Sequence, residues 1–141
     1  MTEKCEDHKL EEIEVGQKRN FVVKITESLV NEFAKISGDY NPLHVDEKYA
    51  KSTKFGKRVC HGMLLGSFFS KMVGMHLPGK NALYFSQTLN FRLPCFINDE
   101  VSVEGEVLEK SLASRILVIK TSIYNQDGKC LLDGIANVMV R

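Results

Sequence analysis

The period of the apolar positions changes once along this chain. Up to about residue 80 they recur at helical spacing, and from Asn81 onward they alternate at a period near 2. Leu29, Val30, Phe33, Ala34 and Ile36 share one face of a predicted helix. Thr26 offers its N-cap, Glu27 places a negative charge in the first turn, and Gly38 ends it. Ahead of it, Phe21-Val22-Val23-Lys24-Ile25 has the β-branched content of a short strand. Asp46 is placed to cap a second, short helix over 47–52, with Tyr49 and Ala50 turned inward. A third helix is predicted over 62–75. Its apolar residues do not keep to one stripe, which predicts a helix covered on most sides and terminated by Leu77-Pro78-Gly79.

Strands are expected at about 82–92, 100–110, 114–124 and 130–140, with Asn125-Gln126-Asp127-Gly128 the clearest turn. Alternation assigns Val101, Val103 and Val107, then Ile116 and Val118, then Ala136, Val138 and Val140 to one covered face of an antiparallel sheet. Periodicity alone therefore gives an α+β chain. A helix that is apolar nearly all round, beside a sheet with one apolar face, packs most economically if the twisted sheet wraps the helix.

A length of 141 residues suits one domain, with 1–14 read as a flexible N-terminal segment and 15–141 as the folded unit. The net charge of +1 gives no electrostatic reason to expect nucleic acid or an anionic membrane as partner. Cys5, Cys60, Cys95 and Cys130 form no Cys-x-x-Cys pair, and His8, His44, His61 and His76 lack zinc-ligand spacing, so no metal is expected. Without a secretory leader, the thiols are expected to be reduced in a cytoplasmic setting, with Cys60 and Cys95 in the core. The apolar run 63–77 is interrupted and too short to cross a bilayer. The segment 54–58 is basic and reads either as a solvated connector or as a patch for phosphates.

The chemistry concentrates in Ser37-Gly38-Asp39-Tyr40-Asn41-Pro42-Leu43-His44. Pro42 lacks an amide proton and pushes Asn41 towards an extended conformation, so regular helix is not expected here, and a carboxylate and an imidazole five residues apart can converge. Near neutrality they are an ionised acid beside a mostly neutral base, able to hold a water and take its proton. Residue types alone leave a second reading open, in which Asp39 caps a backbone amide and His44 is a half-buried structural histidine.

The run from Phe33 to His44 resembles the signature of the (R)-specific enoyl-CoA hydratases, the MaoC-like dehydratase branch of the hot dog fold. Cys60-His61-Gly62-Met63-Leu64-Leu65-Gly66-Ser67-Phe68-Phe69-Ser70 is similar to the start of that family's central helix, and Leu77-Pro78-Gly79 precedes an aromatic-rich strand as it does there. The resemblance implies a single hot dog domain, an antiparallel sheet wrapped around a central apolar helix. It implies hydration of a trans-2-enoyl-CoA to the (R)-3-hydroxyacyl-CoA, with Asp39 and His44 as the catalytic pair sharing acid and base roles. The alternatives are dehydration of an acyl carrier protein thioester, a thioesterase, and a non-catalytic acyl-CoA-binding module.

Stabilising the enolate-like charge on the thioester oxygen calls for an amide donor, and Gly62, at the tip of the apolar helix, is the candidate. Asn41 is expected to fix the loop, Ser70 to orient His44 or a water, and His61 to be structural. Met72, Val73 and Met75 are read as core or as the wall of an acyl tunnel. No cofactor is expected beyond coenzyme A carried by the substrate. Similar proteins join sheets edge to edge, so a homodimer is expected, which would also cover an exposed strand edge.

Overall fold

The computed structural model describes residues 3–141. Six strands form one antiparallel sheet: β1 (Lys18–Lys24), β2 (Ala82–Gln87), β3 (Asn90–Phe91), β4 (Glu100–Ser111), β5 (Ile116–Tyr124) and β6 (Cys130–Val140). Their order is β1-β4-β5-β6-β2, with the short β3 also paired to β6, so β1 and β2 are the two edges. Four helices precede β2: α1 (Glu27–Ser37), α2 (Pro42–Val45), α3 (Glu47–Lys51) and α4 (Gly62–Lys71). A π-helical turn at Met72–His76 continues α4.

The predicted caps of the early helices are made. Thr26 Oγ1 accepts the Leu29 N–H at 3.1 Å, Gly38 takes the left-handed backbone (φ 79°), and Asp46 Oδ1 accepts the Tyr49 N–H at 3.0 Å. Ile36 and Tyr49, both assigned inward by spacing, are exposed, because only the Val30 and Ala34 side of α1 and Ala50 of α3 meet the body of the fold.

The sheet curls over α4 and its π-turn. Leu64, Leu65, Phe69, Met72 and Val73 are buried against inward residues of β4, β5 and β6. Gly105 on β4 leaves room for this approach, since a Cβ there would sit 2.9 Å from Met72 Cγ and Sδ. The inward faces of β4 and β6 are those expected, but β5 is out of phase by one residue. Leu117 and Ile119 are the buried pair, while Ile116 and Val118 are half-buried. Every residue from Ile116 to Ile119 is apolar, so alternation carries no phase, and the pairing of Ile119 with Val107 and Ala136 sets it instead.

The N-terminal segment, expected to be loose, is docked from Glu3 onward. Leu10 and Ile13 are fully buried, and Glu6 lies across the end of the central helix. There its carboxylate accepts hydrogen bonds from His8 Nε2 (2.9 Å), His76 Nδ1 (2.9 Å) and Arg19 Nε (3.0 Å). Burial pushes this carboxyl up, but the bonds from His8, His76 and Arg19 outweigh it and hold it below the usual range.

Phe69, in the last turn of α4, is the largest fully buried side chain among the described residues. Phe69→Ala is expected to cost about 3–5 kcal/mol, read as a lowered urea midpoint with an unchanged slope.

Candidate active site

The turn after α1 is built from short polar side chains, each bonding the backbone just ahead of or behind it. Asp39 N–H donates to Ser37 Oγ (3.1 Å), Asn41 N–H to Asp39 Oδ1 (3.1 Å), and Leu43 N–H to Asn41 Oδ1 (3.0 Å). Asn41 thus fixes the loop as expected, with the extended backbone that a following proline favours (φ −53°, ψ 130°). The expectation of no helix holds only as far as Asn41. Pro42 opens the single turn α2 at its first position, where a missing N–H costs nothing, and His44 rides on that turn.

Two further contacts fix His44. Its Nδ1–H donates to the Val59 carbonyl at 2.6 Å, which leaves the Nε2 lone pair bare. Its own carbonyl accepts from Arg58 Nε at 2.6 Å. Arg58, in the basic segment that the sequence leaves as either a solvated connector or a phosphate patch, is 7% exposed; Nη1 donates to Glu27 at 3.0 Å and Nη2 to Asn31 at 2.6 Å, both on α1. Nothing local in the sequence marks it, because all its partners lie 14 or more residues away.

Asp39 and His44 converge. Ligand-type atoms of Asp39, His44 and His61 all lie within 4.8 Å of one another. Asp39 is exposed, His44 half-buried and His61 buried. The His44 and His61 rings stack, with centroids 4.0 Å apart and planes 29° from parallel. In-plane lone pairs of stacked rings run side by side rather than meeting at one point, so the trio is poorly shaped to share an ion.

Gly62 opens α4, and among the described residues no side chain caps that tip; the Leu64 N–H donates to the His61 carbonyl at 3.1 Å, which leaves the Gly62 and Met63 amides available to a ligand. A Cβ at Gly62 would sit 2.7 Å from the Phe91 ring, which lies over the helix tip, a contact that no sequence motif signals. His44 and Gly62 line one cleft of about 510 Å³, whose walls include Phe55, Met63, Phe91, Leu93 and Cys95. Lys54 and Lys57, the exposed part of the basic segment, lie over the rings of Phe55 and Phe96. Ser70 is exposed on α4 and makes no hydrogen bond to Asp39 or His44 among the described residues. Met72 and Val73 belong to the core, and neither they nor Met75 borders this cleft.

Residues 11–126 match the family described as the MaoC like domain. The chain belongs to that family. MaoC-like relatives include an (R)-specific enoyl-CoA hydratase of Aeromonas caviae, 41% identical over 89% of this chain and 94% of that protein. A second, from Rhodospirillum rubrum, is 38% identical over 94% of this chain and 92% of its own length. The solved (R)-hydratase from A. caviae, described as involved in PHA biosynthesis, superimposes with a TM-score of 0.90 at 40% identity, covering 92% and 98% of the two chains. The fold is therefore the hot dog fold of these MaoC-like hydratases.

Replacing Arg58 by Met leaves the His44 carbonyl without its donor. The expected cost is about 1–3 kcal/mol, measured by urea denaturation, together with faster amide exchange over residues 42–46.

Proposed function

We infer that this chain is a hydro-lyase that adds water reversibly across the C2–C3 double bond of a trans-2-enoyl-CoA, giving the (R)-3-hydroxyacyl-CoA. The observation that carries this reading is the placement of a carboxylate and an imidazole with a bare Nε2 beside an apolar cleft that ends at an uncapped helix tip. The identity to (R)-specific hydratases over most of both chains supports the substrate class and the stereochemistry.

In this reading a water sits between the Asp39 carboxylate and His44 Nε2. One Asp39 oxygen is already engaged by the Asn41 amide, which orients the carboxylate. The pair takes a proton from the water as its oxygen attacks C3, and returns a proton to C2. The acid and base roles are assigned to the pair together. The electron pair displaced from the double bond flows onto the thioester oxygen, where the Gly62 N–H at the tip of α4 stabilises it. A donor of this kind contributes about 2.7–4 kcal/mol in the transition state. Water addition moves protons and no net electrons, so the chemistry calls for no redox cofactor, and coenzyme A enters only as part of the substrate. Lys54 and Lys57, beside the Phe55 wall, are placed to meet the phosphates of that carrier.

The active form is a homodimer. The β2 edge exposes Leu83, Tyr84 and Phe85, which pairing with a second copy would cover. No helix among the described residues is long and apolar enough to cross a membrane.

With crotonyl-CoA, absorbance of the conjugated thioester is expected to fall without release of free thiol. Thiol release would instead indicate a thioesterase, and faster turnover of the acyl carrier protein thioester would shift the assignment to that carrier. Asp39→Asn is expected to reduce turnover by about 10²–10⁴-fold with an unchanged thermal transition, and wild-type turnover in that variant would sink the proposed pair. Sedimentation at twice the chain mass checks the dimer.

A further inference from the structure

His61 was expected to be structural, yet it contacts both members of the pair. Its Nε2 lies 3.0 Å from the backbone carbonyl of Asp39. A carbonyl only accepts, so Nε2 carries the proton and Nδ1 carries the lone pair. That Nδ1 is buried and has no hydrogen-bond partner among the described residues. The face of the ring lies against His44, and its outer side meets Phe33 of α1 at a centroid distance of 5.0 Å. His61 is also the N-cap residue of α4, one position before Gly62, yet its side chain caps nothing there.

We propose that His61 is the positioning residue of this site: one ring holds Asp39 through its backbone, holds the His44 ring in plane through its face, and registers both to the tip of α4. This rests on the hydratase reading given above and assigns the residue that sets the geometry of the pair. Burying an imidazole with one nitrogen unpaired costs stability that an apolar residue of similar size would not. A purely structural role would be met better by leucine. The imidazole does two things leucine cannot: it donates to the Asp39 carbonyl and presents a flat π-face to His44.

The charge state of the ring fits this role. Burial pulls its proton affinity down, and the charges of His44 and Arg58 act in the same direction. The Asp39 carbonyl and carboxylate oppose them, and the balance lies below the ordinary histidine value. A neutral ring beside His44 lets His44 take up a proton during turnover without a second cation stacked on it.

The test compares wild type with His61→Leu, His61→Gln and His61→Phe, using crotonyl-CoA. His61→Leu removes donor and flat face together, and kcat is expected to fall about 100-fold, the cost of a displacement of about 1 Å, with KM within about threefold. His61→Gln keeps an N–H donor and His61→Phe keeps the face, so each is expected to recover part of that loss. A folded His61→Leu chain with wild-type kcat, or one impaired only in KM, overturns the proposal. Histidine NMR on the wild-type chain tests it without any variant or any turnover. The His61 ring is expected to stay neutral, with its proton on Nε2, as pH falls through 6.5, and titration at or above the ordinary value overturns the proposal. A wild type that does not hydrate crotonyl-CoA defeats the hydratase reading, whereas a fully active His61→Leu chain defeats this one alone.

Discussion

A buried guanidinium ties the loop that carries His44 to helix α1. Arg58 is nearly fully enclosed, and its three donor groups go to Glu27 and Asn31 on α1 and to the backbone of His44. A buried charge is tolerated only when its hydrogen bonds are satisfied, so α1, α2 and the strand-like segment at Val59 have little freedom to shift independently. The carbonyl of the next residue, Val59, accepts a hydrogen bond from His44 Nδ1–H, and two residues beyond it the His61 ring packs on the His44 face. The run from Arg58 to Gly62 therefore supplies the anchor, the tautomer, the stacking partner and the uncapped helix tip in sequence. The geometry of the proposed site is set by one short extended segment leading into α4, with the acidic loop folded down onto it.

This arrangement explains what could be read from the chain beforehand and what could not. Caps and turns are local, so Thr26, Gly38 and Asp46 disclosed themselves through residue type, and α1 and α3 fall where expected, whereas the single turn α2 after Asn41 was not foreseen. The family resemblance singled out Asp39, His44 and Gly62, and the structure brings Asp39 and His44 together and puts Gly62 at a helix tip in the same cleft as His44; spacing alone left a structural reading open. Arg58 was misread because charge implies solvent unless distant partners are known. The contacts of His61 were hidden for the same reason, since those to Asp39 and His44 come from residues 17 or more positions earlier in the chain. Phe91 over Gly62 is a meeting of sheet and helix tip that no local pattern encodes.

The phase of β5 teaches a related lesson. Where both faces of a strand are apolar, the sequence underdetermines which is inward, and cross-strand pairing decides it. Ile119 between Val107 and Ala136 does so here. The half-buried outer residues Ile116 and Val118 are the by-product of that choice.

The docked N-terminal segment bears on how this chain can be handled. The family match begins at residue 11, but Leu10 is among the fully buried side chains and Glu6 closes the far end of the central helix through His76. A version cut back to the homologous boundary would lose both the hydrophobic plug and the acid that seals it. Fusion partners are therefore better joined at Arg141, which is exposed just beyond the last strand.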